Sequence, residues 1–171
     1  LVKRSLELLV ERLRPEDTVS IVVYGTQARI VLNPTSGRDA NTILNAIYSL
    51  QPEGSTNAAQ GLRMGYEMAM QAYQNGMTNR VILCSDGVAN VGATESDEIL
   101  KTVRGYVSEG IYLTTVGFGM GNFNDVLMEQ LADDGNGSYA YIDDIDEAQK
   151  LFVEDLTSTL QVIARDAKVQ V

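Results

Sequence analysis

The chain has no histidine, no tryptophan and a single cysteine in 171 residues. Without an imidazole, no catalytic scheme that shuttles a proton or activates a nucleophile through histidine is open to it. One cysteine cannot close an internal disulfide. Cys84 sits in the apolar run Val81-Ile82-Leu83-Cys84 and reads as a buried, inert thiol, which leaves the redox compartment open. Nothing approaches the roughly 20 apolar residues that a membrane-spanning helix needs, and no signal peptide is visible. Basic residues are few, 13 against 23 acidic, for a formal charge of −10. That charge repels nucleic acid and anionic membranes, so neither is expected as a partner, and no direct membrane insertion is expected. The imbalance is local: residues 1–90 carry 8 basic and 8 acidic side chains, residues 91–171 carry 5 and 15.

What is present suits one globular domain. The sequence is 44% hydrophobic and 21% charged, and a chain of this length buries roughly two thirds of its unfolded surface without a disulfide or metal. Val2, Leu6, Leu9, Val10 and Leu13 share one face of a helix that Pro15 ends. The chain opens on Leu1, already inside that pattern, and is expected to be a piece of something longer. Thr18–Tyr24 is β-branched and almost continuously apolar, as a strand covered on both faces would be. Gly25-Thr26 turns it into a shorter strand, Gln27–Leu32, expected to run antiparallel.

Further along, helices are predicted at 39–50, from 57 to about 72, 94–109, 124–133 and 145–165. Strands are predicted at 80–85, 111–117 and 138–142, and residues 167–171 alternate as a strand would. Strands alternating with helices of this length predict a mainly parallel sheet covered on both faces. The uniformly apolar Val81–Cys84 is expected inside that sheet rather than at an edge.

In such sheets, ligands bind beyond the carboxyl ends of the strands. Two loops there carry hard oxygen donors. Ser85-Asp86-Gly87 places a carboxylate after an apolar strand, and Gly54-Ser55-Thr56-Asn57 places two hydroxyls at a helix start. Taken singly, the first is an ordinary Asp-Gly turn and the second an ordinary helix cap. Other candidates fall to bland accounts. Gly117-Phe118-Gly119-Met120-Gly121 lacks the spacing of a dinucleotide loop, and Asp133–Gly137 lacks the order of a calcium loop and reads as a turn. Asp143, Asp144, Asp146 and Glu147 read as a solvated helix start, and Met64, Met68 and Met70 as core or near-core packing. Ser85 has Asp86 beside it but no histidine and no nucleophile elbow, and neither loop holds a lysine for phosphoryl transfer. No enzyme is expected.

Taken together and in order, the two loops resemble the von Willebrand factor type A domain. Its metal-ion-dependent adhesion site combines Asp-x-Ser-x-Ser in a first loop, a Thr in a second and an Asp in a third. The Thr falls on Thr56, beside Ser55, and the Asp on Asp86. Bacterial members are the closer likeness, through Val-Ile-Leu-Cys-Ser-Asp-Gly-Val-Ala-Asn-Val-Gly (81–92), Thr-Val-Gly-Phe-Gly-Met-Gly-Asn (115–122), Asn-Gly-Ser-Tyr-Ala-Tyr (136–141) and Phe-Val-Glu-Asp-Leu (152–156).

The resemblance implies a three-layer α/β sandwich with a Rossmann-like, mainly parallel sheet of order 3-2-1-4-5-6 and one antiparallel strand. It implies an adhesion module that binds a protein partner through Mg²⁺, with Mn²⁺ or Ca²⁺ as alternatives, the partner's carboxylate completing the coordination. It also implies an extracytoplasmic place at the bacterial envelope or cell surface. The sequence departs from the family at one point. The family's first strand and its Asp-x-Ser-x-Ser loop should precede the helix at Leu1–Leu13, and neither is present. Residues 1–166 are then a domain lacking its central strand, and 167–171 the start of a following strand or segment. An upstream segment, Ala167–Val171 or a strand exchanged from another copy could fill the position. With Thr56, Asp86 and Ser55 alone, metal binding is expected to be weak; the alternative is a structural interaction domain without metal.

Overall fold

A computed structural model describes residues 1–51, 57–85, 93–119 and 125–155, apart from the side chains of 93–96 and 155. Strand β1 (Thr18–Tyr24) pairs antiparallel with β2 (Ala28–Ser36). Strands β3 (Asn79–Ser85), β4 (Ile111–Phe118) and β5 (Tyr139–Ile142) form a parallel sheet in the order β3-β4-β5. Six helices accompany them among the described residues: α1 (Val2–Val10), α2 (Ala40–Ser49), α3 (Ala58–Gln71), α4 (Ala93–Ser108), α5 (Asp125–Asp134) and α6 (Ile145–Gln149). The last runs on as a π-helical stretch, Lys150–Asp155. The predicted helix residues beyond 155 and the strand at 167–171 lie outside the described residues.

Side-chain alternation divides the core into layers. Val81 and Leu83 of β3 and Ile111 and Leu113 of β4 face α3, α4 and α5, where Leu62, Tyr66, Val103, Met128 and Leu131 meet them. Ile82, Cys84, Val116 and Phe118 face the opposite way, toward Ala148, Leu151 and Phe152 and toward Val2, Leu8 and Leu9 of α1. A third cluster gathers Val10 of α1, Ile43 and Ile47 of α2 and Leu32 of β2. The three-layer α/β sandwich is therefore present, with helices on both faces and the β2 pairing antiparallel.

The two sheets stand side by side with parallel edges. At one end Gln74 bridges them, its Nε2 donating to Thr18 Oγ1 at 3.4 Å while its backbone N–H donates to Asn79 Oδ1 at 3.1 Å. At the other end Tyr24 Oη donates to the Cys84 carbonyl at 2.7 Å. β1 and β3 are thus a side chain's reach apart, not at the roughly 4.8 Å of a hydrogen-bonded pair. Among the described residues no strand pairs with the β1-facing edge of β3, so Val81–Cys84 is an edge strand of its own sheet, against the expectation that it lies inside. Its apolar character belongs to an interior position, and the gap is where the resemblance puts the family's first strand. α1 and α3 span it on opposite faces.

Four local expectations are corrected. α1 ends at Val10, because Arg12 N–H and Leu13 N–H donate to the carbonyls of Leu9 and Val10, three residues back, and tighten the chain out of the helix. Leu13 still packs on the third cluster. β2 continues through Pro34 to Ser36, which an edge strand tolerates because proline's missing N–H can face away from the ladder. Met70 is 41% exposed, so of the three methionines named above only Met68 is buried in the core. β4 runs one residue past its predicted end, to Phe118, and Gly119 follows at φ +91°.

Tyr66 is fully buried, stacks on Tyr106 with ring centroids 4.4 Å apart, and its hydroxyl finds no partner among the described residues. Burial pushes its phenol far above the ordinary range, so it stays neutral. An unsatisfied buried hydroxyl costs about 1–3 kcal/mol. Tyr66→Phe is therefore expected to raise the urea midpoint, whereas a lowered midpoint would mean that the hydroxyl holds a bond.

Candidate metal centre

Of the two loops that would hold a cation, one runs from α2 to α3 and the other follows β3. Ser55, Thr56 and Asp86 themselves lie outside the described residues. Their neighbours frame the place. Asn57 N–H donates to the Gly25 carbonyl at 2.9 Å, just past the end of β1, and Ala28 N–H donates to Gln60 Oε1 at 3.1 Å. Gly61 permits this docking, since a Cβ there would come within 2.5 Å of Tyr24 Cβ. Ser85, buried, ends β3 one residue past the carbonyl that Tyr24 holds.

One bland account is removed at the helix start. The N-cap of α3 is Asn57, whose side chain accepts from Gln60 N–H at 3.0 Å, so the hydroxyls of Ser55 and Thr56 precede the capping position. Sequence reasoning gave that role to the hydroxyls and missed Asn57. It also missed Tyr24, for which the only signal was a lone hydroxyl at the end of an apolar strand. Cys84 is no candidate ligand: burial pushes its thiol up to about 12.

The other acidic groups are explained by local structure. Asp144 caps α6, its Oδ1 accepting from the N–H groups of Asp146 and Glu147 at 2.9 Å each, and Glu147 Oε2 accepts from Asp143 N–H at 3.0 Å. This reciprocal capping brings the carboxylates of Asp143, Asp144 and Glu147 within 4.8 Å of one another on an exposed surface. Asp133 and Asp134 end α5, and only residues 135–137 form the turn, with Gly135 N–H donating to Leu131 O and Gly137 N–H to Ala132 O, both at 2.9 Å.

Helices on both faces of parallel strands, with an antiparallel pair beside them, define a Rossmann-like α/β sandwich. The profile of the von Willebrand factor type A domain matches residues 1–157, and the chain belongs to that family. It is 40% identical over 171 residues to protein YfbK of Escherichia coli (strain K12), covering all of this chain and 30% of that one. The chain also spans 35% of the Synechocystis protein sll0103, to which it is 31% identical over 153 residues, or 88% of this chain. Among solved structures, a von Willebrand factor type A protein from Catenulispora acidiphila superimposes with a TM-score of 0.78 at 16% identity, over 93% of this chain and 37% of that one. Family members of this kind are protein-interaction modules, and some bind a metal.

Proposed function

We propose that the chain is a metal-dependent protein-binding module in which Thr56, Asp86 and Ser55 contribute oxygen ligands to one divalent cation. The observation that carries this reading is the assignment of the α3 cap to Asn57, which leaves the preceding hydroxyls without that role, beside a β3 end held level with β1. Two hydroxyls and a carboxylate are hard donors that suit Mg²⁺, or Mn²⁺ or Ca²⁺, and the sequence has no histidine to offer. Proximal thread matrix protein 1 of the mussel byssus, with a zinc-occupied metal site, shares the fold at a TM-score of 0.67 and 19% identity, covering 88% of this chain and 40% of that one. The ion's chemistry is to accept a carboxylate from a partner protein, and few charged ligands leave it electrophilic. The module then works outside the cytoplasm, at an envelope or cell surface.

Three donors are half of what Mg²⁺ prefers, so this chain should bind it no tighter than about millimolar, near 4 kcal/mol. A strand set between β1 and β3 and ending in Asp-x-Ser-x-Ser should tighten binding at least about tenfold by adding ligands on a rigid support. Calorimetric titration of both forms, with Thr56→Ala and Asp86→Ala in the longer one, tests this. A longer form that binds no metal, or whose affinity ignores both substitutions, defeats the reading and leaves a structural interaction domain. Ala167–Val171 or a strand exchanged from a second copy would fill the position without those ligands, and sedimentation showing a concentration-dependent dimer would identify the exchange.

A further inference from the structure

Between Arg104 and Lys150 the sequence has no basic residue and nine acidic ones. Three of them, Asp125, Glu129 and Asp133, fall at i, i+4 and i+8 on α5 and form one exposed stripe. Like charges at that spacing repel, and Asp133 stands in the last turn, where the helix dipole disfavours a negative charge. Arg104 Nη2 pairs with Asp134 at 2.9 Å, but the described structure shows no ion pair on the stripe itself. Asp125 has a folding role, in the first turn where the dipole favours it and bonded to Tyr139, but the described structure gives Glu129 and Asp133 no comparable support.

The neighbouring surface is not merely polar. Val126, on the adjacent row of α5, is 75% exposed, the most exposed of the large hydrophobic side chains described. Tyr139 Oη donates to Asp125 Oδ1 at 2.5 Å and fixes β5 to the start of α5. Burial, that hydrogen bond and the nearby charges, Glu129 among them, hold the Tyr139 phenol neutral. Tyr141, exposed, donates its hydroxyl to the Gly119 carbonyl. Aromatic rings beside carboxylates, with an apolar side chain between rows, match an ammonium or guanidinium on an aliphatic stem.

We propose that the outer face of α5 and the adjoining β5 form a docking surface for a lysine- or arginine-rich segment of a partner protein. The segment's cations neutralise the α5 stripe, and its stems pack on Val126 and the tyrosines. Anionic lipid and nucleic acid are repelled by the same charge. The proposal stands apart from the metal reading, and its test excludes metal.

Fluorescence anisotropy with a labelled twelve-residue peptide of alternating lysine and threonine, in EDTA, measures the docking. A glutamate–threonine peptide is the control. The lysine peptide should bind, with an affinity that falls as salt rises. Glu129→Gln with Asp133→Asn should weaken it at least about tenfold while raising Tm by about 1–3 °C, because the same change relieves repulsion within α5. Val126→Ser should weaken it severalfold at unchanged charge. The matched pair Glu11→Gln with Glu67→Gln removes the same charge from α1's end and from α3, and should change binding less than about twofold. Absence of binding at low salt, or equal losses in the two charge pairs, overturns the proposal. A fall in Tm for the α5 pair overturns it as well, since the stripe would then serve the fold.

Discussion

Gly137→Ala is expected to destabilise the domain by about 3 kcal/mol, a large share of the roughly 5–15 kcal/mol that holds a domain together. A Cβ at this position would lie 1.8 Å from the Leu113 carbonyl oxygen and 2.6 Å from its carbon, so backbone, not a yielding side chain, blocks it. The turn cannot retreat, because Leu113 N–H donates to Gly135 O at 2.9 Å and Thr115 N–H to Ser138 O at 3.0 Å. Gly135 is closed in the same way, its Cβ site 2.4 Å from Leu113 Cβ. Gly105→Ala is the internal standard. It lies within α4 with nothing within 4 Å of its Cβ site, and should gain about 0.5–1 kcal/mol. Urea denaturation of the three proteins decides the matter: similar midpoints for the two variants would show that the turn does not press on β4.

Phe152→Ala should cost about 3–5 kcal/mol, the usual range for removing a fully buried phenylalanine. Its ring closes the cluster of Val116, Phe118, Ile142 and Leu151 against which Val2, Leu8 and Leu9 of α1 pack. The loss should therefore also appear at a distance in sequence, as faster hydrogen exchange of the α1 amides. Phe152→Leu keeps most of the volume and should cost less than about 1.5 kcal/mol. If α1 exchange is unchanged in Phe152→Ala, the helix is held by its contacts with α2 alone.

The strands were readable because burial on two faces leaves an apolar, β-branched run that little else produces; β1 falls at Thr18–Tyr24 as expected. Boundaries were less readable where packing and hydrogen bonding part company. Leu13 keeps the helical period of α1 and its place in the core after the helix has ended, so periodicity reported contact and not backbone. Lys150–Asp155 is π-helical, a change of hydrogen-bond register that leaves residue types unaltered and gives no signal. Tyr66 was overlooked because its hydroxyl marks it as amphipathic, although its ring is in the core. At the candidate centre, the loops could be read from their oxygen donors and order along the chain. That β1 and β3 do not pair could be read only by analogy, since neither strand records in its own residues who its neighbour is.

The separation of β1 from β3 also has a mechanical meaning. A backbone ladder resists sliding bond by bond, whereas among the described residues the two sheets are joined by α1, by α3 and by side-chain bonds at each end, Gln74 to Thr18 and Tyr24 to Cys84. Such a joint is stiff against bending, because helices brace both faces, and compliant to shear along the strand direction. Tension applied across it would slide one sheet past the other before either unzips, and Tyr24 and Gln74 would be the first contacts to let go.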